Sequence, residues 1–341
     1  MNVSTREPAG DTDIEVLSGV ITRVISSRLI YVLVIICGLI LPSAVSFGQE
    51  SRDFMFLFDI KGYEQDTWFS DPTAVALDAS SGLIYVADTK DESVYAFTTQ
   101  GIPKFTYGSS KGIKTPVGLA VDKEGNLYAV ENEGGPIKVI SPKGETSDLE
   151  LPAVEGAEAP KPGRMTFDKD GNLYVVDRAN SCVVVLDKEK KLKLRIGKKG
   201  DKRGEFRELR DVAVDRGGRI YALDALGTPV QVFDKKGKYI YRFGFRGEGM
   251  EDIAIPSAIF VDHNDQVWVV DKGQNCLKVF DRSGTFLRKF GAYGMSEGML
   301  SQPVDAKMDD FGRIFTVETG ARRLQVFSLS RPFEPLSPQG L

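Results

Sequence analysis

Histidine is nearly absent from this chain, and cysteine is rare: its 341 residues include one histidine and three cysteines. The single histidine, His263, excludes a three-histidine zinc site and leaves any Ser-His-Asp relay dependent on this one residue. Cys37 lies in an apolar run that lacks a lipoprotein cleavage pattern. Cys182 and Cys276 occupy equivalent positions in two repeats that lie two units apart, too far apart for a disulfide, and we expect two buried free thiols.

A large net charge is also lacking. The formal charge of -4 and the sequence pI near 5.4 do not call for a nucleic acid or an anionic membrane as partner. One basic stretch stands out at 188–210, but Phe206 is its only aromatic residue. A nucleic acid is therefore not expected there. A solvated blade edge is the first interpretation, and an anionic polysaccharide or acidic protein stays open as a partner.

Only one long hydrophobic run exists, at residues 29–48, after a polar amino-terminal region of residues 1–28. Arg23 and Arg28 precede the run, Pro42 interrupts it, and Ser46-Phe47-Gly48 resembles a signal-peptidase site. The run is interpreted as a cleaved signal peptide or a retained membrane anchor, with a buried helix of a cytoplasmic protein as the other alternative. The first two place the rest of the chain in the extracytoplasmic cell envelope, with membrane contact only through residues 29–48 if they are uncleaved.

The rest of the chain repeats. Each unit contains four short apolar runs separated by Gly, Asp and Lys turns, which predicts a four-stranded antiparallel meander. A period near this length with four strands per unit is typical of propeller blades, so we predict an all-β, six-bladed β-propeller. The units start at Pro72, Pro116, Pro162, Leu209, Pro256 and Pro303, spaced 44, 46, 47, 47 and 47 residues apart.

The ring is predicted to close through its amino-terminal strand. Residues 54–60 match the fourth strand of later units, whereas the sixth unit runs into a Pro- and Ser-rich tail that cannot supply that strand. We therefore predict that residues 54–60 pair beside 323–327 and complete the last blade, which removes the open edges. The propeller domain is placed at 51–330 and a flexible tail at 331–341.

Two sets of acidic residues recur once per unit, one set after the first strand and the other after the second. The first set precedes Gly- or Asn-containing turns and is predicted to cap them, while sixfold repetition of the second set at the opposite end argues for scaffolding. A third recurring position, three residues before most unit starts, is apolar and is predicted to wedge the loops against the core. The three sets are Asp78, Asp122, Asp168, Asp215, Asp262 and Asp309; Asp88, Glu131, Asp177, Asp224, Asp271 and Glu318; and Phe69, Ile113, Phe206, Ile253 and Leu300.

The six units resemble the NHL repeat. Each carries Pro-x-x-apolar-x-apolar-Asp, or a close variant, then Gly-x-apolar-Tyr-apolar-apolar-Asp and apolar-x-Val-Phe, over residues 72–327. The resemblance implies a six-bladed propeller but does not choose a function, because the family includes RNA-binding domains, receptor sensor domains and a zinc-dependent lyase. The multi-histidine metal arrangement of the lyase relatives cannot be built with His263 alone.

The candidate site lies where long loops meet the central channel. Loops at 63–71, 108–115, 152–161, 198–208, 245–255 and 292–302 differ between units and share one face, here called the long-loop face; the opposite side is the short-turn face. The third residues of the first strands should line the channel mouth on the long-loop face. Arg164, Asp211 and Asp305 stand out there among Ala74, Gly118 and Ala258, and are the predicted ligand-binding residues; a solvated ion-pair cluster is the alternative.

These patterns favour a non-enzymatic, extracytoplasmic scaffold whose long-loop face binds a protein, a small molecule or a carbohydrate, with no catalytic residue and no cofactor. The alternative is a metal-dependent hydrolase or lyase with its site at the channel mouth. Calcium is the metal considered for it, because calcium needs only oxygen ligands and lactonase-type propellers carry an Asp-lined channel site. The residues that would bind such a metal are not identified by the sequence.

Overall fold

A computed structural model describes residues 54–329 except Gln65 and Val154. The described residues form twenty-four β-strands and one short 3-10 helix, Ser109–Lys111. The strands make six separate four-stranded antiparallel sheets, which confirms the predicted all-β, six-bladed propeller. The predictions for residues 1–28, 29–48 and 331–341 fall outside the described residues. No helix in the described part of the chain has the length and apolarity needed to cross a membrane.

Each blade is a meander of strands that follow one another in the chain, except the sixth. Blades one to three are β2 Pro72–Asp78, β3 Leu83–Asp88, β4 Ser93–Thr98 and β5 Pro103–Tyr107; β6 Pro116–Val121, β7 Leu127–Glu131, β8 Ile137–Ile140 and β9 Thr146–Leu149; β10 Pro162–Phe167, β11 Leu173–Asp177, β12 Cys182–Leu186 and β13 Leu192–Ile196. Blades four and five are β14 Leu209–Val214, β15 Ile220–Asp224, β16 Val230–Phe233 and β17 Tyr239–Phe243; β18 Pro256–Val261, β19 Val267–Asp271, β20 Cys276–Phe280 and β21 Phe286–Phe290.

The sixth blade contains β22 Pro303–Met308, β23 Arg313–Glu318, β24 Arg323–Leu329 and the amino-terminal strand β1 Phe54–Ile60. β1 pairs antiparallel with β24, from Phe54 opposite Leu329 to Ile60 opposite Leu324, with a register shift between Phe56 and Phe58. The predicted closure is confirmed. β24 runs two residues beyond the predicted 323–327 because β1 is long enough to pair with them.

The core lies between the blades. The second strand of every blade is almost entirely buried, since each sheet is covered on both faces by its neighbours. The five wedge residues predicted before the unit starts are at most 1% exposed. Cys182 and Cys276 are buried free thiols, as predicted.

The recurring acids hold the connections, as predicted. Asp122 accepts hydrogen bonds from the backbone N–H groups of Glu124 and Asn126, an Asx-type cap on the short turn. Asp88, from the second set, accepts the N–H groups of Ser70 and Asp71 and so fixes the long loop that enters the first blade. The inner strands are thereby held at both ends, which sets the geometry of the channel.

Candidate functional site

One arginine spans the centre of the ring. Arg164 is the third residue of β10 in blade three, yet its Nη2 donates to the carbonyl of Thr73 in blade one at 3.0 Å and to that of Val304 in blade six at 2.9 Å. Its Nη1 lies 2.8 Å from Oδ1 of Asp305, also in blade six. The side chain is only 14% exposed. Arg164 therefore crosses the channel from one side of the ring to the other.

Two aspartates join neighbouring blades around this arginine. Asp305 accepts the N–H of the following Ala306 at 2.9 Å and that of Val75 in blade one at 3.0 Å. Asp211 accepts the N–H of Val212 at 2.8 Å and that of Ile259 in blade five at 3.0 Å. Both carboxylates are almost completely buried. The solvated ion-pair cluster considered from the sequence does not form here.

A second cation, which the sequence analysis missed, completes the group. Lys307 lies two residues after Asp305, and its Nζ is 3.7 Å from the same Oδ1 that Arg164 contacts. Its side chain is 24% exposed, so it is the most accessible of the four. The signal was present in the fifth residues of the inner strands, where Lys307 is the one charged residue among Ala76, Ala120, Thr166, Ala213 and Phe260. Arg164, Asp211, Asp305 and Lys307 are called the central cluster below.

Burial and neighbouring charges shift the pKa values of the central cluster in opposite directions. Burial alone would lower the pKa of Arg164, but the carboxylates of Asp305 and Asp211 raise it above its ordinary value. Burial raises the pKa of Asp211, and the positive charges of Lys307 and Arg164 offset this effect only in part. The two cations and two acids balance formally, and the accessible part of the group is positive.

The raised pKa of Asp211 predicts a pH dependence of stability. A carboxyl whose pKa is higher in the folded than in the unfolded chain stabilises the fold fully below the unfolded value, near 3.8, and that contribution is lost as the pH rises through the folded value. We expect an Asp211→Asn variant to gain stability relative to the parent as the pH increases from 4 to 7. Urea unfolding at several pH values measures this slope; parallel curves would contradict the assigned shift.

The oxygens of the cluster do not fit calcium. Among the described residues, no group of three or more His, Cys, Asp and Glu side chains lies close enough together to hold a metal ion. All four carboxylate oxygens of Asp211 and Asp305 accept hydrogen bonds from backbone N–H groups. The positive charges of Arg164 and Lys307 lie beside Oδ1 of Asp305 and would repel a metal cation there. A calcium ion needs six to eight oxygen ligands. The calcium considered from the sequence therefore has no supporting donor set in this part of the chain.

Comparison with known proteins supports the propeller fold. A family model described as a 6-bladed beta-propeller matches residues 217–290, and no curated protein matches the chain. Among solved structures, a gluconolactonase from Xanthomonas campestris aligns with a TM-score of 0.58 and 16% identity, over 81% of this chain and 89% of that one. A streptogramin B lyase aligns with a TM-score of 0.60 and 14% identity, over 83% of this chain and 100% of that one.

A virginiamycin B lyase from Staphylococcus aureus is also similar, with a TM-score of 0.57 and 13% identity, over 81% of this chain and 100% of that one. At such identities the likeness shows the shared propeller fold. It nevertheless corrects the expectation of a non-enzymatic scaffold, because these propellers are a hydrolase and lyases. The enzymatic alternative is the one that these neighbours support.

Proposed function

We propose that the chain is a propeller enzyme, a hydrolase or lyase, whose reacting centre is the accessible side of the central cluster. The observation that carries this proposal is the convergence of Arg164 and Lys307, from opposite blades, on one carboxylate oxygen in the middle of the ring. The similarity to a gluconolactonase and to streptogramin-type lyases supports it. We infer as well that the blades are of the NHL type, from the motif that all six units carry.

The two reaction classes share one electrostatic requirement. Ester or lactone hydrolysis develops negative charge on a tetrahedral oxygen, and elimination next to a carboxylate or carbonyl develops it on an enolate oxygen. Arg164 and Lys307 are both held beside Oδ1 of Asp305, so a substrate oxygen approaches the exposed sides of the two cations and gains their positive charge as its own negative charge develops.

The four residues then divide into two roles. Arg164 and Lys307, the partly exposed members, contact the substrate oxygen. Lys307 also transfers a proton in the reaction, because an ammonium group can lose one whereas a guanidinium cannot. Asp211 and Asp305 are positioning residues. They hold the cations through charge and hold adjacent blades through backbone hydrogen bonds, so the site keeps its geometry without moving parts. No step passes through a metal.

Turnover of a defined panel tests the proposal. The panel contains aldonolactones, carboxylate-bearing esters and β-substituted carboxylates, with acid release and formation of an unsaturated product as the two readouts. We expect activity in one class, and a Lys307→Met variant should lose at least about 100-fold in kcat. Lys307→Arg keeps the charge but not the proton transfer, so it should restore KM but not kcat.

Lys143→Met is the matched control, because this exposed lysine lies in an outer turn of blade two. It should leave both kinetic constants unchanged, and circular dichroism should show all variants folded. Absence of turnover with all three substrate types would overturn the proposal. Full activity in a folded Lys307→Met variant would overturn it as well, since the reaction would then take place elsewhere.

A further inference from the structure

Positive charge is concentrated in two adjacent blades. Residues 162–249 contain 21 lysines and arginines and 13 acids, a net charge of +8, although the whole chain has 44 and 48 and a net charge of -4. The remainder therefore carries 23 basic and 35 acidic residues, a net charge of -12. Such a separation creates a directed field that attracts an anion to blades three and four.

Part of this charge lines a groove on the short-turn face, between blades three and four. The groove has a volume of about 460 Å³ and lies between the turns at 168–172, 215–218 and 234–238. Five cations line it: Lys169, Lys193, Arg216, Lys235 and Lys236. Lys169, Lys235 and Lys236 are exposed, and none of them forms a close ion pair with another described residue.

The acids of this groove do not cancel its cations. The carboxylate of Asp168 points into the turn that follows it, where it accepts hydrogen bonds from the N–H groups of Asp170 and Asn172. The Asp215 side chain is fully buried and accepts a hydrogen bond from Tyr221. Asp170 is thus the one exposed carboxylate in the lining, where five cations occur, and one of these, Arg216, is paired with Asp265 at 3.6 Å. The groove presents net positive charge to the solvent.

A second groove of about 460 Å³ lies next to it, between blades two and three, and Lys169 lines both. Its lining also contains acids: Lys123 pairs with Glu124 and Lys188 with Glu189 at the surface. Lys169 and Lys190 are the lysines of this lining without a close ion pair among the described residues, and the Lys190 ammonium lies 5.0 Å from the centre of the Phe167 ring. The two grooves flank the turn at 168–171 on the same face. An elongated anion can therefore follow both grooves across blade three, with Lys169 at the crossing.

The lining selects the class of anion. Neither groove has an exposed large apolar side chain, as insertion into a membrane would require. Stacking platforms for nucleotide bases are missing from these linings too, because Tyr128 and Tyr174 are buried and Lys190 lies over the ring of Phe167. Recessed, hydrophilic grooves with spaced ammonium groups fit a chain of sugars that bear carboxylates or sulfates.

We propose that these paired grooves bind an acidic polysaccharide, independently of the central cluster. Binding of the full chain to polygalacturonate, dextran sulfate and neutral dextran, measured by titration calorimetry, tests this. We expect binding to both anionic polymers and none to dextran, with affinity lost at 1 M salt, where charges are screened beyond ~3 Å. A Lys235→Glu, Lys236→Glu variant should bind at least about tenfold more weakly.

Lys143→Glu is the matched control for a single Lys236→Glu variant, because the charge change is the same and Lys143 occupies in the turn at 141–145 the place that Lys236 occupies in the turn at 234–238. It should bind like the parent. Equal weakening by both variants would overturn the proposal, since net charge rather than the grooves would then be responsible. If the Lys235/Lys236 variant lost binding to phosphatidylglycerol vesicles but not to the polymers, the surface would be a membrane site and the proposal would be wrong. Neither result depends on turnover at the central cluster.

Discussion

Deletion of residues 54–60 is expected to abolish the cooperatively folded propeller. Without β1, the backbone groups of β24 form an unpaired sheet edge, and the ring lacks one of its outer strands. Phe54 also stacks on Phe327 and Phe290 at centroid distances of 4.1 and 4.9 Å. Loss of a packed Phe costs about 3–5 kcal/mol, and a domain has only about 5–15 kcal/mol to lose. Circular dichroism and sedimentation should show an unfolded or aggregated chain.

Point variants in the same strand separate packing from mere sequence change. Phe54 and Phe56 are partly buried against the sixth blade, whereas Met55 and Leu57 are 54% and 39% exposed. We expect a Phe54→Ser, Phe56→Ser variant to lose most of its stability and a Met55→Ser, Leu57→Ser variant to melt within a few degrees of the parent. A deletion variant that melts like the parent would show that β1 does not close the ring.

The architecture was predictable because it depends on patterns that repeat. A period near 47 residues, six aspartates before short turns and five apolar wedges each report on local structure, and six copies make chance agreement improbable. The closing strand was predictable for the same reason, since residues 54–60 match a strand type that the sixth unit lacks. The contacts within one blade are made by segments that are close in sequence, and the repeating patterns describe those segments.

The central cluster was only partly predictable, because its contacts run between blades. That Arg164, Asp211 and Asp305 are unlike their counterparts is visible in an alignment of the units. That Arg164 reaches the carbonyls of Thr73 and Val304 depends on the diameter of the ring and the tilt of the strands, which no single repeat encodes. The expectation of a non-enzymatic scaffold was wrong for a different reason: the similar solved propellers include a gluconolactonase and streptogramin-type lyases, which no residue pattern of this chain indicated.

Replacing Arg164 by methionine should be strongly destabilising. The change removes the donor from two carbonyls and leaves the Asp305 carboxylate buried, with Lys307 at 3.7 Å as its remaining ion-pair partner. Removal of one partner from a buried ion pair costs about 3–5 kcal/mol, because the other charge stays in a poorly solvating site. Urea unfolding measures this loss as a lower midpoint with an unchanged slope.

Two further variants show whether that loss of stability comes from the contacts that Arg164 makes across the ring with blades one and six. Adding Asp305→Asn removes the uncompensated charge, so the double variant should recover part of the stability that Arg164→Met loses, a coupling that independent sites would not show. Arg210→Met alters another arginine of an inner strand, but its side chain is 48% exposed and pairs with Glu208 at the surface. It should change the free energy of unfolding by no more than about 0.5 kcal/mol. Equal effects of Arg164→Met and Arg210→Met would mean that the guanidinium of Arg164 does not tie blade three to blades one and six.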